Sequence, residues 1–356
     1  MDRAKSIEAL SVMFTAGVAA GTAVSAAASW AAPAMLLPIA SVPFFLWPVL
    51  RRSKAGAPLF LLSFLLLGAF SALTALPYTT GESFLESIAL DSADSMRALI
   101  ARIPFKAEVT SPLLTALFTG DKSGLSKETI DVFRQSGASH ILALSGLHMG
   151  ILYLIFSRLT LPLGYSPAAK WIRAVSVVAA AGWFTLMTGG GPSIVRAFLF
   201  ILIGEICTIS GRRRKPSRIL CLALLVQLIL DPGVIRSLGF QLSYLAMAGI
   251  VLLYPVLEKW YPQGSSLNPL RKIWQMAAIS ISCQVFTGPL AWKVFGTFPR
   301  HFLLTNLMAI PLVTVLMWTA VFTVMLYGLG WCPEFMINAV DGLCRLLTWV
   351  LTVISS

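Results

Sequence analysis

The sequence predicts an all-α protein, a polytopic integral membrane helical bundle with about 10–11 transmembrane or re-entrant helices. Hydrophobic residues make up 57% of its 356 residues, charged residues make up only 12%, and the mean hydropathy is +0.81. A soluble domain has about twice that share of charged residues, because its whole surface faces water. Apolar runs close to the length of about 20 residues that a spanning helix needs recur along the chain. The composition therefore excludes a soluble protein.

Residues 1–77 are predicted to form an N-terminal unit of three spans. Gly17 and Gly21 in the first span predict the close approach of a neighbouring helix. The second span is short and contains three prolines, which predict a kinked or irregular helix. The three spans are Leu10–Ala32, Ala34–Leu50 and Leu59–Leu76.

Residues 78–137 are the only stretch with the composition of a soluble segment, and we expect them to form an amphipathic helical loop on the outer side. Apolar residues recur among charges over Glu82–Arg102, a pattern typical of a helix at the membrane surface. Shorter helices are predicted at Ser111–Phe118 and Ser126–Gln135, with Ser126 as the N-cap of the second. The loop is therefore interpreted as a lid or linker of interfacial helices.

Residues 138–356 are predicted to form the membrane core. The segment Ile219–Leu230 is short for a full crossing and is expected to be re-entrant. Gly288-Pro289 predicts a break within a span, and Gly189-Gly190-Gly191 predicts either a loop or the start of a discontinuous helix that faces an anion. The other spans after Phe156 are Trp171–Thr188, Ser193–Ser210, Leu238–Leu257, Ile273–Phe298, Phe302–Leu329 and Phe335–Ile354.

The net charge of +12 is interpreted as a sign of orientation rather than of a ligand. With the N-terminus in the cytoplasm, most basic residues fall in cytoplasmic loops, as the positive-inside rule requires. One such loop is a cytoplasmic basic turn formed by Arg212, Arg213, Arg214 and Lys215. We therefore expect a multi-pass protein with a cytoplasmic N-terminus.

The stretch Gly137–Phe156 places polar residues in a run that is apolar enough to cross a bilayer. Polar side chains at that depth are costly, so they are the first candidates for a functional role. On one continuous helix Ser145 and His148 share a face, and His140 lies two turns before His148 on nearly the same side.

No sequence pattern indicates a metal, another cofactor or a disulfide framework. The five cysteines are scattered through apolar runs without ligand spacing, and no GxxxxGK[ST] motif occurs. Any transport would have to be energised from outside the chain. With no motor or nuclease motif in the sequence, we do not expect an enzyme.

Two runs of residues carry a resemblance to a known family. Thr119–Leu125 reads TGDKSGL, and Phe133–His148 reads FRQSGASHILALSGLH. Together they look like the signature of the ComEC-type competence proteins, bacterial inner-membrane proteins implicated in bringing single-stranded transforming DNA into the cytoplasm. Further matches are the basic turn, Pro192–Ala197, Asp231-Pro232 and Gly239–Tyr244.

The resemblance implies a bacterial cytoplasmic (inner) membrane channel that imports single-stranded transforming DNA during natural competence. It implies separate partners: an outer-side DNA receptor and nuclease, and a cytoplasmic ATP-dependent translocase or single-stranded-DNA-binding protein. Longer members add an oligonucleotide-binding-fold domain and often a metallo-β-lactamase-like domain. Because this sequence has only a short helical loop at the first position and no HxHxDH cluster, we expect a minimal, channel-only member. Signature positions with structural roles are Gly137, His140, Gly146, Asp231 and Gly239.

Six polar residues are candidates for a DNA pathway: Ser145, His148, Arg196, Gln241, Ser243 and Gln284. Their side chains offer contacts to phosphate or base, and hydrogen bonding between packed helices explains them as well. Arg196 either contacts phosphate or pairs with an acid such as Asp231. Asp341 and Arg345 are four residues apart and are expected to form a local ion pair.

Two other functions stay open at this point. Ser145 and His148, one helical turn apart, suit an intramembrane hydrolase, but the sequence positions no acid to orient the imidazole. A small-solute or lipid transporter is disfavoured only by the resemblance. The oligomeric state is also open.

Overall fold

The computed structural model describes residues 3–24, 56–74, 84–164, 166–261, 268–296 and 301–355. All regular secondary structure within these ranges is helical, which confirms the predicted fold class. Five helical segments among them are long and apolar enough to cross a membrane, judged by length and composition. The predicted second span, Ala34–Leu50, lies outside the described residues.

The helices follow one another in chain order, with short 3-10 helices at Leu161–Leu163 and Pro232–Arg236. The candidate spans are Gly146–Leu163, Pro192–Ile209, Leu238–Glu258, Phe302–Gly328 and Glu334–Ser355. The bounds are α1 Arg3–Val24, α2 Gly56–Thr74, α3 Phe84–Arg102, α4 Thr110–Thr119, α5 Lys127–Gln135, α6 Ser139–Leu142, α7 Gly146–Leu159, α8 Pro167–Met187, α9 Pro192–Ile209, α10 Pro216–Leu230, α11 Leu238–Leu252, α12 Tyr254–Glu258, α13 Pro269–Phe295, α14 Phe302–Gly328 and α15 Glu334–Ser355.

The chain packs as two units, each assembled from two separate stretches of sequence. The first contains the described residues of Met1–Gly81 together with Leu202–Tyr244. The second contains Glu82–Ile201 and Leu245–Ser356. The division of the sequence at residues 77 and 137 stays a prediction.

In the first unit, α1 and α2 approach each other through glycines. A Cβ atom on Gly17 would overlap the carbonyl oxygen of Leu65, and one on Gly68 would overlap that of Phe14. The two backbones are therefore in direct contact, as is common where small residues line the interface of membrane helices. The close approach predicted from Gly17 is confirmed.

The second unit contains a large apolar core, and the helices predicted in the outer loop belong to it. Leu113 of α4, Phe133 of α5 and Ile141 of α6 are buried in the same cluster as Leu316 of α14 and Leu347 of α15. The helices predicted between Glu82 and Gln135 form with bounds shifted by at most two residues. Helix α4 has no exposed residue, so it packs within this core. The placement of the segment on the outer side stays a prediction.

Local capping signals in this segment behave as the sequence predicts. Ser126 is the N-cap of α5, and its Oγ accepts the Thr129 N–H at 3.1 Å. The Thr129 hydroxyl lies 2.9 Å from the same Oγ, where a full capping box would place Glu or Gln. Gly120 ends α4 with φ +79°, and its N–H donates to the Ala116 carbonyl at 3.0 Å.

Two predictions about these helices are wrong. The expected break at Gly288-Pro289 does not occur, because α13 continues through Pro289 to Phe295. Membrane helices tolerate an interior proline where neighbouring groups satisfy the freed carbonyl.

The expected ion pair of Asp341 with Arg345 is also absent among the described residues. Instead, the buried Asp341 carboxylate accepts the Lys106 N–H and the Thr110 hydroxyl, each at 2.6 Å.

Substituting Gly17 with leucine is expected to push α1 and α2 apart. Overpacking of this kind costs about 1–3 kcal/mol or more in unfolding free energy. The thermal unfolding midpoint of the purified protein in detergent measures the loss. Gly342→Leu is the matched control, since a Cβ on that helical glycine meets nothing within 4 Å. Equal destabilisation by both variants would contradict the direct backbone contact.

Substituting Asp341 with alanine is expected to lower the unfolding free energy by about 2–5 kcal/mol, because two donors lose their buried acceptor. Arg345→Gln is expected to change it by less than about 0.5 kcal/mol, as is usual for an exposed residue without a partner. Chemical or thermal unfolding of both variants provides the comparison. A large loss in Arg345→Gln, matching that of Asp341→Ala, would restore the ion pair that the sequence suggests.

Candidate functional site: the start of α7

The polar stretch Gly137–Phe156 is two helices and not the single continuous helix that the sequence predicts. Helix α6 ends at Leu142, Ala143 has an extended ψ of 126°, and Ser145 is extended at φ −137°, ψ 173° before α7 begins at Gly146. The physical reason is the cap that Ser145 and His148 make together. His140 therefore lies on a different helix from His148, and the predicted common face does not exist.

Ser145 and His148 cap α7 reciprocally. The Ser145 Oγ accepts the Leu147 N–H at 3.3 Å, and the Nδ1 of His148 accepts the Ser145 N–H at 3.4 Å. His148 thus takes the N3 position that Glu or Gln occupies in a capping box. Because Nδ1 accepts a backbone N–H, the proton of the neutral imidazole is on Nε2.

The Nε2 atom of His148 is a buried donor that has no hydrogen-bond partner among the described residues. The side chain is 0% exposed. A buried polar group without a partner costs about 1–3 kcal/mol, so such groups are rare outside sites with a function. This atom marks the start of α7 as the candidate site.

Arg196 brings a buried positive charge to Gly146, the first residue of α7. It lies one turn inside α9 and is 7% exposed, and its Nη2 lies 3.1 Å from the position that a Cβ on Gly146 would take. Its guanidinium carbon lies 5.8 Å from the centre of the Phe200 ring, within range of a cation–π contact. Gly146 therefore provides the room in which the guanidinium packs against the first residue of α7.

The groups assembled here are hydrogen-bond donors and positive charge. They are the Nε2–H of His148, the guanidinium of Arg196 and the N-terminal end of a 14-residue helix. Donors at a helix start favour negative charge, and arginine binds phosphate and carboxylate with charge-assisted hydrogen bonds. The arrangement is therefore suited to an anion.

A hydrolase is not assembled at this site from the described residues. The Ser145 Oγ lies 3.3 Å from Nδ1 of His148, but that nitrogen already accepts the Ser145 N–H. Nε2 has no carboxylate to orient it, and a nucleophile, a base and an orienting group are the minimum set. The described residues also contain no group of three or more His, Cys, Asp or Glu side chains that could hold a metal.

The signature positions before the site shape the chain that leads to it. Gly137 has φ +82° and turns the chain between α5 and α6, a conformation that favours glycine. His140 is exposed, and its Nδ1 lies 3.1 Å from the Gly137 carbonyl, so it stabilises this turn. The triple glycine before α9 is a loop, one of its two predicted forms: Gly189 and Gly190 have positive φ and end α8.

Each of the remaining candidates for the DNA pathway is described within its own unit. Gln241 belongs to the first unit and donates its amide to the Ile235 carbonyl at 2.8 Å. Ser243 is half-buried in the same unit, close to the beginning of α11, where Gly239 also lies. Gln284 is half-buried within α13 of the second unit. Asp231 ends α10, with its N–H on the Gln227 carbonyl at 2.9 Å.

The basic turn after α9 is only partly available to a ligand. Arg214 folds back onto α9, where its Nη2 lies 2.8 Å from the Glu205 carboxylate and its Nε donates to the Thr208 hydroxyl at 2.6 Å. Arg212, Arg213 and Lys215 are exposed. Sequence reasoning missed the pairing of Glu205 with Arg214, and the nine-residue spacing across a helix end gave no signal for it.

The match to a family model places most of the chain in one group of proteins. The model, described as Competence protein, matches residues 117–356. That range contains the start of α7, Arg196 and the capping residues around them. No solved structure matches the chain.

Three relatives are informative. An Escherichia coli K12 protein called YcaI and described as uncharacterised is 24% identical over 57% of this chain and 27% of its own length. The ComE operon protein 3 of Bacillus subtilis is 24% identical over 57% of this chain and 24% of its own length. The Recombination protein 2 of Haemophilus influenzae is 25% identical over 58% and 27%. The matched part of this chain thus spans about a quarter of each relative's length.

Substituting Gly146 with leucine is expected to displace the Arg196 guanidinium and to lower the unfolding free energy by about 1–3 kcal/mol. Gly150→Leu in the same helix is the control, because a Cβ there meets nothing within 4 Å. A double-mutant cycle with Arg196→Ala measures the coupling, which should be at least about 0.5 kcal/mol because the two residues are in contact. Additive effects in the cycle would contradict the contact between the guanidinium and Gly146.

Proposed function

This chain belongs to the competence protein family, and from that premise we propose that it conducts single-stranded DNA across a bacterial cytoplasmic membrane. The observation that carries the proposal is the packing of the Arg196 guanidinium against Gly146, the first residue of α7. The same helical turn contains His148, whose buried Nε2 has no partner among the described residues. A DNA strand presents one phosphate anion per nucleotide, and phosphate is the ligand that this set of donors favours.

The site is buried, so the structure corresponds to a closed state in this proposal. His148 is 0% exposed and Arg196 is 7% exposed. A strand reaches these donors only when the helices around them separate. Ser145, Gln241, Ser243 and Gln284 are proposed as further polar contacts along the open route, and the N-terminus is proposed to lie in the cytoplasm.

The proposed conduit is passive and depends on partners. The sequence has no GxxxxGK[ST] motif, so we assign the driving force to a cytoplasmic ATP-dependent translocase or to a protein that captures the strand. A separate receptor and nuclease on the outer side would deliver the single strand. The exposed Arg212, Arg213 and Lys215 are a suitable surface for the strand or for an acidic partner on the cytoplasmic side.

Transformation frequency tests the proposal in a naturally competent strain that lacks its own gene and carries this one. Arg196→Ala and Arg196→Lys are expected to lower the frequency by about tenfold or more, because a charge-assisted hydrogen bond contributes about 1.5–3 kcal/mol. His148→Ala is expected to act in the same direction. Arg158→Gln, an exposed arginine at the other end of α7, is the control and should have no effect.

Membrane levels of each variant, measured by immunoblot, separate a lost contact from a lost protein. Normal levels with unchanged transformation in both Arg196 variants would remove this site from the DNA route. Complete absence of complementation by the natural sequence, with a normal protein level, would favour the small-solute or lipid transporter instead. Labelling of Ser145 by a serine-directed phosphonate probe would favour the intramembrane hydrolase.

A further inference from the structure

The hairpin of α14 and α15 gives a length scale for the second unit. The helices are antiparallel, and at their open end the His301 Nδ1 lies 3.3 Å from the Ile354 carbonyl. Thr305 and Tyr327 of α14 are separated by about 33 Å at 1.5 Å per residue. That distance is close to the hydrocarbon thickness of a bilayer, about 30 Å. Both helices are among those long and apolar enough to span it.

The segment Arg102–Ser136 is hydrogen-bonded to α14 at both of its ends. The Tyr327 hydroxyl donates to the Arg102 carbonyl at 2.7 Å near the closed end of the hairpin. The Thr305 hydroxyl donates to the Ser136 carbonyl at 2.6 Å near the open end, in a buried position. Between them, the contacts of Asp341 with Lys106 and Thr110 lie about 10 Å along α15 from its first residue. The segment therefore runs the length of the hairpin.

We propose that Arg102–Ser136 crosses the depth of the membrane beside the α14–α15 hairpin, and that the exposed face of α5, with Arg345, borders a water-filled cavity. This replaces the placement of the segment as an outer loop. The proposal concerns where water reaches the bundle, so it does not depend on which solute is carried.

The first half of the segment is suited to membrane depth because protein covers it. Helix α4 has no exposed residue, and the N–H groups of Thr110 and Leu113 donate to carbonyls of the turn before it. Irregular or polar chain occurs at this depth only where protein buries it or where it lines a water-filled space. The Asp341 carboxylate satisfies the donors of the turn that precedes α4.

The second half of the segment supplies the argument for water. Helix α5 packs on α15 through its buried Phe133, and its other face exposes Lys127, Glu128, Asp131 and Arg134. Charged side chains facing lipid are strongly disfavoured, so such residues face a cavity or the bundle interior. A charged face beside a spanning helix thus indicates an aqueous wall.

Arg345 supports the same cavity from an independent position. It is the twelfth residue of the 22-residue α15, and it is exposed near the middle of that helix. A lipid-facing arginine at mid-span is among the least favourable placements in a membrane protein. Water next to the exposed Arg345 removes that conflict.

Cysteine accessibility tests both halves of the proposal in the full chain. Each variant is made in a background in which the five native cysteines are replaced by alanine, and sealed vesicles of both orientations receive a membrane-impermeant methanethiosulfonate. Arg102→Cys and Gln135→Cys, at the two ends of the segment, are expected to react from opposite faces. Arg345→Cys is expected to react, whereas Val315→Cys, at the midpoint of α14 and 50% exposed, is not.

Two results would overturn the inference. Labelling of Arg102→Cys and Gln135→Cys from the same face means that the segment does not cross. Labelling of Arg345→Cys no faster than Val315→Cys means that no aqueous cavity borders α15. If the cysteine-free chain does not fold, the same substitutions are made in the natural chain and labelling above its background is measured. Cys332 is half-exposed in the loop between α14 and α15, so its reaction is part of the background that has to be subtracted.

Discussion

Every polar group in the interior of this bundle has to find its partner within the protein, because hydrocarbon provides none. Asp341 shows how strongly this constraint acts. Its buried carboxylate takes up donors from a turn that is 235 residues away in sequence, instead of pairing with the arginine one turn along its own helix. The contact holds the start of α4 against α15. The second unit thus depends on a bond between segments from opposite ends of its sequence.

The same constraint applies at the start of α7, where most but not all buried donors have a partner. Ser145 and His148 satisfy the first backbone donors of that helix, and Gly146 leaves space for the Arg196 guanidinium. One donor, the Nε2 of His148, is left over. The start of α7 thus combines an unpartnered buried donor with a buried positive charge that packs against its first residue. The proposal of a single-stranded DNA substrate rests on family membership and on this local chemistry.

Features that rest on local pattern could be predicted from the sequence, and features that rest on distant partners could not. Composition was sufficient for the fold class, Gly17 for a close helix contact and Ser126 for a cap. The interruption at Ala143 was missed because the surrounding run is apolar enough to be interpreted as one spanning helix, although Ser145 followed by Gly146 is a recognisable helix start. At Pro289 the error was the opposite one, because a predicted break does not occur: membrane helices tolerate an interior proline. The contact of Arg196 with Gly146 and the hydrogen bonds of Asp341 join residues that are far apart in the sequence. No spacing of residues predicts such contacts.

The discontinuous make-up of the first unit has a consequence for biosynthesis. Helices α1 and α2 pack with Leu228, Phe240 and Tyr244, which a ribosome reaches only after it has made much of the second unit. At about 5–20 residues per second, the delay between the end of α2 and residue 202 is roughly 6–26 s. During that interval α1 and α2 have only each other among the described helices of the first unit, and their backbones are in direct contact at Gly17 and Gly68.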